Sequence, residues 1–246
     1  MDAVQSKGRI TAGVSFDIPG MGYRNPRTGL IEGFEADLAR AISEKILGAP
    51  ERVDFRQVVD AQRVEAVQDD QVDMVLSQMT ITPDRAKAVD FSIPYWVTGE
   101  GLLVPKGSQI KGLDDLKGKR IEVTAGSVSL QRMRAAMPSL PGATLILKPL
   151  GIDGPEALAK GEADAVSNDL INLTMLQKSS DSPGRFEIID IHDKFEPKPF
   201  GVAVKKGRRS LLDLLNPAIE SLKASGEIDR IMNESLARFS TETPRS

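Results

Sequence analysis

The sequence predicts an α/β protein of two lobes, and three observations indicate this. Short apolar segments typical of strands alternate with segments that carry apolar residues at helical spacing. The alternation begins a second time near Gly101 and ends in a helical tail. The chain of 246 residues also exceeds the usual single domain of about 100–150 residues. We therefore expect two β/α lobes, each with a mostly parallel sheet covered by helices.

The first lobe contains a helix with a clear buried face. Phe34, Leu38 and Ile42 recur at the spacing that places them on one side of a helix. Gly48 and Pro50 then end the helix, because both residues disfavour its continuation. A loop rich in proline and glycine precedes it. In chain order, we expect strands over residues 9–14, 53–59 and 73–77 and helices over residues 34–46 and 61–68.

The second run of strands and helices continues into two long helices at the end of the chain. Leu211, Leu215 and Ile219 form an apolar stripe on the first of these. We expect strands over residues 101–104, 120–124, 145–147, 164–166, 186–191 and 202–204. The expected helices cover residues 128–137, 155–160, 169–177, 210–225 and 227–239.

The composition excludes several classes of function. Lys and Arg number 32 against 35 Asp and Glu, a balance that argues against a nucleic-acid-binding protein. The absence of cysteine excludes disulfides, thiol catalysis and Cys-based metal sites. The one histidine, His192, excludes multi-histidine metal sites, and its polar surroundings predict a surface position. We expect no metal and no cofactor, and the composition leaves a binding protein or an enzyme that works with carboxylates, hydroxyls and amines.

The apolar runs and the first residues bear on where the protein acts. The longest apolar runs are too short to span a membrane. Residues 1–8 contain no apolar stretch, so they are not expected to form an export signal. The sequence therefore fits a cytoplasmic protein or a mature exported protein whose leader has been removed.

The segment after the strand at 73–77 carries the strongest candidates for ligand binding. Thr82 suits a helix N-cap and Pro83 suits the first helical position. One interpretation is a well-capped helix with a surface arginine. The other is that Thr80 and Arg85 converge on a carboxylate, because the arginine fork matches a carboxylate in bidentate geometry.

Two further loops follow strands and open helices. The Gly126-Ser127 turn exposes backbone amide groups at a helix start, although it does not fit a phosphate-binding loop. Asp169 precedes an apolar helix, so it is either an N-cap or a carboxylate that binds an ammonium group. Ligands of open α/β sheets bind where strands end. Together, the three loops indicate a site for a zwitterion.

Five segments of the chain carry motifs that occur in the same order in one known family. Residues 33–42 resemble a Gly-Phe-(Asp/Glu)-x-Asp-Leu helix, and residues 80–85 resemble a Thr-Ile-Thr-x-x-Arg element. Residues 89–95 match an Asp-Phe-Ser-x-Pro-Tyr segment, and residues 116–119 and 161–165 match two further motifs. Together they resemble the polar amino-acid-binding proteins of ABC importers (family 3 extracellular solute-binding proteins), over about residues 8–239.

This resemblance implies a two-lobed, periplasmic-binding-protein-like (type II) fold with a hinge of two crossovers. Residues 1–95 and 200–246 would form lobe 1, and residues 100–196 would form lobe 2. The hinge would lie near residues 95–99 and 196–200. The protein would be a monomer that captures a polar L-amino acid by hinge closure and delivers it to an ABC-transporter permease. It would act in the periplasm or outside the cell, either free or lipid-anchored.

The resemblance also implies roles for individual residues. Thr80 and Arg85 would bind the α-carboxylate with help from Ser127. Asp169 would bind the α-amino group. The backbone around Ser77 and Gln78 would assist Asp169 in binding this group.

The side-chain pocket points to the branch of the family that binds glutamate, glutamine, aspartate or asparagine. Phe16 or a nearby loop residue would wall this pocket. Acidic-ligand members often carry Lys or Arg where this chain has Ser15, and a buried carboxylate needs a cation. Arg24 or Arg63 could supply that charge. Thr124 stands where glutamine binders can carry a lysine.

Two other functions use the same fold in related proteins. One is the sensing domain of a receptor. The other is a dehydratase acting on prephenate or arogenate, which needs a general acid in the cleft. Asp17 and Glu100 are the nearby candidates for such an acid, and we expect both to be solvated loop charges. The enzyme is therefore the less favoured alternative.

Overall fold

The computed structural model describes residues 2–241 and divides into two compact units. The first unit comprises Met1–Val97 and Pro199–Arg238, and the second is built from Thr98–Lys198. As far as Arg238, the chain thus passes from the first unit to the second once and returns once.

Helices and strands alternate along most of the described chain. The first part contains α1 (Ala3–Lys7), β1 (Ile10–Val14), β2 (Asp17–Ile18), β3 (Gly22–Arg24), β4 (Ile31–Glu32), α2 (Phe34–Leu47), β5 (Val53–Gln57), α3 (Arg63–Gln68), β6 (Met74–Val75), α4 (Pro83–Ala88) and β7 (Val89–Thr98). The middle part contains β8 (Glu100–Pro105), β9 (Arg120–Thr124), α5 (Val128–Ala136), β10 (Thr144–Lys148), α6 (Gly154–Ala159), β11 (Ala165–Asp169), α7 (Leu170–Ser179) and β12 (Phe186–Asp190). The last part contains β13 (Lys198–Lys205), α8 (Arg209–Ala224) and α9 (Glu227–Thr241).

The first unit is built on a sheet of five strands in the order β5-β1-β6-β13-β7. β1 runs parallel to both β5 and β6. β13 is antiparallel to β6, with Ala203 opposite Val75. A small antiparallel sheet of β2, β3 and β4 precedes α2. The strands expected over residues 9–14, 53–59 and 73–77 are the parallel ones of this sheet.

The second unit contains another sheet of five strands, in the order β10-β9-β11-β8-β12. β9 is parallel to β10 and β11, and β8 is antiparallel to β11 and β12. Leu102 and Val104 pack in one apolar cluster, and Leu103 between them packs in another. Because neighbouring side chains of a strand point to opposite faces, both faces of this sheet are buried.

The prediction of mostly parallel sheets is wrong in part, since both sheets are mixed. Only a connection that crosses back over the sheet, usually through a helix, brings two neighbouring strands into parallel order. β8 begins just after the chain enters the second unit, and β13 begins at Lys198, the last residue before the chain returns to the first unit. No helical crossover of their own sheet sets their direction, and both run antiparallel to a neighbour.

Most elements lie where the sequence predicts them, with shifted ends. The strand expected over residues 73–77 is only Met74–Val75, and the helix expected over residues 61–68 begins as a 3-10 turn at Asp60–Gln62. The sequence analysis missed α1, β7 and the small sheet. None of the described helices combines the length and the apolarity that crossing a membrane requires.

Candidate functional site

The helix start that carries Thr80 and Arg85 is capped as the sequence predicts. Thr82 is the N-cap of α4, its hydroxyl accepts the Arg85 backbone N–H at 3.2 Å, and Pro83 occupies the first turn. The Arg85 side chain turns back, and its Nη1 donates to the Thr80 carbonyl oxygen at 2.8 Å. The structure therefore brings the Arg85 guanidinium against Thr80 in the first unit.

Ser15, Ser77 and Gln78 also lie together in the first unit. Ser15 follows β1 and Ser77 follows β6, and these two strands are parallel neighbours. Gln78 Nε2 donates to the Ser15 hydroxyl at 3.2 Å, while the Ser77 hydroxyl donates to the Val58 carbonyl at 3.3 Å. All three predicted site residues are buried. They form a neutral, polar group at the carboxyl ends of parallel strands, where ligands of such sheets bind.

Glu35 is a buried acid that the sequence analysis did not single out. It lies in the first turn of α2, and its side chain is inaccessible to solvent. Its Oε1 accepts the Gln78 backbone N–H at 2.7 Å and the Tyr95 hydroxyl at 2.5 Å, and its Oε2 accepts from Gln78 Nε2. Burial raises the pKa of Glu35 to about 8, although these hydrogen bonds and the nearby Arg63 oppose the rise.

A sequence signal for Glu35 does exist. Its position falls on the same helical stripe as Leu38 and Ile42, which are both fully buried. A charged residue on the apolar face of a helix requires a partner. That partner lies 43 residues further along the chain, so the pattern alone does not identify it.

The two arginines considered as partners for an acidic ligand side chain are placed differently. Arg63 is only 2% exposed and donates to the carbonyl oxygens of Asp60, Ser77 and Gln78. It is therefore engaged with the backbone. Arg24 is exposed, and its guanidinium carbon lies 5.5 Å from the centre of the Phe16 ring.

In the second unit, Ser127 is the N-cap of α5. Its hydroxyl accepts the Leu130 backbone N–H at 3.0 Å and donates to the Thr124 carbonyl at 2.7 Å. Ser127 and Asp169 follow or end β9 and β11, which are parallel neighbours. Their strands therefore bring them to the same edge of this sheet.

Asp169 precedes α7 but does not cap it with its side chain. Its Oδ1 lies 2.9 Å from Lys198 Nζ, and its Oδ2 lies 3.5 Å from Asn172 Nδ2. The sequence predicts an N-cap or a carboxylate that binds an ammonium group. The structure shows a third arrangement, in which an ammonium group of the protein itself contacts this carboxylate.

Lys198 is the residue that connects this cluster, and the sequence analysis missed it. It is 1% exposed, and its Nζ lies 2.6 Å from Glu100 Oε2, 2.9 Å from Asp169 Oδ1 and 2.8 Å from the Ser129 hydroxyl. The ammonium group thus lies among two carboxylates and one hydroxyl group. Its sequence neighbours, Glu196-Pro197 and Pro199, contain no pattern that indicates a buried lysine.

The expectation that Glu100 is a solvated loop charge is wrong. Glu100 is fully buried on β8, where its Oε1 accepts the Ser167 hydroxyl at 2.8 Å. Its Oε2 contacts Lys198, and Arg132 Nη1 lies 3.5 Å from it. Burial is stable here because two cations neutralise the carboxylate. His192, in contrast, is exposed as the sequence predicts.

Nearly the whole chain is similar in sequence to known proteins. The profile of the bacterial extracellular solute-binding proteins, family 3, matches residues 10–237. The ABC transporter glutamine-binding protein GlnH of Bacillus subtilis (strain 168) is 33% identical over 230 residues, which cover 93% of this chain and 81% of that protein.

Two solved structures extend the similarity to the fold. The solute receptor for L-cysteine of Neisseria gonorrhoeae superimposes with a TM-score of 0.85 at 28% identity, covering 99% of this chain and 96% of that chain. An ancestral arginine-binding protein bound to glutamine superimposes with a TM-score of 0.81 at 33% identity, covering 92% of this chain and 97% of that chain.

Proposed function

Because the chain belongs to the bacterial extracellular solute-binding proteins, family 3, we propose that it captures a polar L-amino acid for an ABC importer. A glutamine-binding protein of an ABC transporter is 33% identical to it, and a structure with 33% identity holds glutamine. The protein would act outside the cytoplasmic membrane, as the family name describes, and deliver its ligand to a permease.

The placement of Arg85 carries this proposal. The contact of Nη1 with the Thr80 carbonyl fixes the guanidinium beside Thr80 at the start of α4. A guanidinium held in one orientation binds a carboxylate strongly, because its donors match both carboxylate oxygens. We assign the α-carboxylate of the ligand to Arg85 and Thr80, with help from the Ser127 hydroxyl.

The α-amino group is assigned to Asp169, assisted by the backbone of Ser77 and Gln78. Lys198 contacts Asp169 Oδ1 at 2.9 Å, so we assign the ligand ammonium to Oδ2. An ammonium group needs an ionised carboxylate as its partner.

The side-chain pocket is assigned to Ser15, Phe16 and Gln78, and this composition favours glutamine over glutamate. Ser15 and Gln78 are neutral and already bonded to each other. Arg63 is engaged by backbone carbonyls, so it does not serve a ligand carboxylate. A second buried carboxylate without a cation costs free energy, whereas an amide needs only hydrogen bonds.

We propose that residues 1–95 with 200–246 and residues 100–196 act as the two lobes of a monomer, with hinges near residues 95–99 and 196–200. Binding would be followed by hinge closure. The protein would have no catalytic activity, because Glu100 is engaged by Lys198 and does not serve as a general acid for a dehydratase.

Calorimetric titration of protein that has been unfolded and refolded free of bound ligand tests the proposal. Glutamine, glutamate, asparagine, aspartate and arginine are titrated separately, and prephenate turnover is assayed in parallel. We expect one-to-one binding of glutamine with a Kd near micromolar, about −8 kcal/mol, and weaker binding of glutamate. Preference for glutamate would transfer the side-chain role to Arg24. If none of the amino acids bound and prephenate were turned over, the result would support the enzyme instead.

A further inference from the structure

Gln78 has a backbone conformation that L-residues adopt rarely. Its φ angle is +44°, and Asp70 is the other described residue besides glycine with a positive φ. Asp70 lies in an exposed turn after α3. Gln78 is instead 5% exposed. A buried residue held in the left-handed region is strained, so the surrounding structure must hold it there.

Glu35 holds Gln78 in place through two hydrogen bonds. The same carboxylate accepts the backbone N–H of Gln78 at 2.7 Å and the amide of its side chain. Because both ends of one residue are bound to one rigid group, neither its peptide plane nor its side chain can rotate freely. Glu35 itself is fixed in the first turn of α2, where its backbone N–H donates to the Met21 carbonyl at 2.8 Å.

Arg63 holds the same segment through its carbonyl groups. Its Nη1 donates to the carbonyl oxygen of Ser77 at 2.5 Å and to that of Gln78 at 3.1 Å. Its Nη2 lies 3.2 Å from Asp60 Oδ2, which fixes the guanidinium in turn. The Glu35 carboxyl group therefore holds the N–H side of the Ser77–Gln78 segment, and the Arg63 guanidinium holds its carbonyl side.

We propose that Glu35 and Arg63 are positioning residues that set the affinity for the amino acid by clamping the Ser77–Gln78 segment in this conformation. This inference rests on the proposed function, in which the segment assists binding. In this proposal, Glu35 and Arg63 act through the Ser77–Gln78 segment and not by contact with the ligand. Groups that are held in the binding geometry before the ligand arrives lose less freedom on binding, so affinity rises.

The variant Glu35→Gln tests the clamp. It keeps the shape of the side chain, but the atom that accepts from Gln78 Nε2 becomes a donor. The Gln78 amide then either loses this bond or turns over and gives up its donation to the Ser15 hydroxyl. We expect the Kd for glutamine, measured by calorimetry well below the melting temperature, to weaken by about tenfold or more. Ser43→Ala is the matched control, since Ser43 is equally buried on α2 and donates to the Ala49 carbonyl at 2.8 Å. It should lower the melting temperature and leave the Kd unchanged.

A second variant tests the other half of the clamp. Arg63→Met removes the donors to the carbonyl oxygens of Ser77 and Gln78 and leaves Glu35 in place, so the Kd for glutamine should weaken in this variant as well. A Glu35→Gln protein with a lower melting temperature but a Kd within twofold of wild type would overturn the inference and leave the proposed function intact. A wild-type chain that binds none of the amino acids would overturn both.

Discussion

Glu122 lies on β9 with its carboxyl group buried, and its Oε2 has no hydrogen-bond partner among residues 2–241. Burial raises the pKa of Glu122 to about 7, with further contributions from Asp153 and Glu162 and an opposing one from Lys148. A buried carboxyl group without a donor is more stable in its neutral form. The folded protein therefore holds this proton to a higher pH than the unfolded chain does.

Because the pKa of Glu122 is higher in the folded state than in the unfolded chain, its contribution to the free energy of unfolding falls as the pH rises. Below about pH 4.5 both states hold the proton and the contribution of Glu122 is fully present; it is then lost as the pH rises through about 7. Glu35, with a pKa raised to about 8, acts in the same direction. At pH 8 we expect Glu122→Gln to be more stable than wild type by on the order of 2 kcal/mol, with little difference at pH 4.5.

Urea unfolding at several pH values measures this effect. Glu44→Gln is the control, because Glu44 is exposed on α2, and its stability should follow that of wild type at each pH. If Glu122→Gln also followed the wild-type curve from pH 4.5 to pH 8, the buried carboxyl group would not govern this dependence.

The predictable part of the candidate site is the part that depends on local chemistry. Thr82 and Pro83 indicate the start of α4, and the cap forms as expected. The Glu35–Gln78 and Lys198–Asp169 contacts join residues far apart in the chain. No local pattern specifies such a pair, since the fold decides which buried charges meet.

Among the elements, β13 begins with a buried lysine that contacts two carboxylates. Lys198 is its first residue, and its ammonium group neutralises Glu100 and Asp169 in a nearly solvent-free environment. Removing one member of a buried ion pair leaves the remaining charge without compensation. The start of this strand is therefore expected to be sensitive to substitution.

We expect Lys198→Met to destabilise the protein by about 3–5 kcal/mol, because it leaves two buried carboxylates without this cation. Adding Glu100→Gln should recover part of that loss, because one of those charges is then removed. Urea unfolding of the single and double variants measures both effects. A single variant that loses less than about 1 kcal/mol, or a double variant less stable than the single one, would contradict this account.

The elements that the sequence predicts best are those with a strong period or clear end signals. α2 has a regular apolar stripe and ends at Gly48 in the left-handed conformation, as glycine at this position predicts. The strands β2, β3 and β4 have only two or three residues each. Such short strands contain too few residues to show an alternation of apolar and polar side chains. They form because they pair with one another, which the local sequence does not reveal.

At the scale of the whole molecule, the ordered motifs predicted the family and the two-lobed α/β fold, and both are confirmed. The β/α alternation predicted the parallel strands of both sheets. It did not predict the antiparallel direction of β8 and β13, because direction there depends on how the chain passes between units and not on local composition.

The central claim is that this protein captures an amino acid through its α-carboxylate. Titration of glutamine into the wild type and into Arg85→Ala, with the melting temperature of each measured alongside, tests it most directly. Arg230→Ala, which removes an arginine from α9 where it pairs with Glu227 at 2.5 Å, is the control. We predict that Arg85→Ala weakens the Kd by at least about 100-fold, or 2.7 kcal/mol, without loss of folding. A Kd within about threefold of wild type, a difference near 0.7 kcal/mol, would contradict the claim.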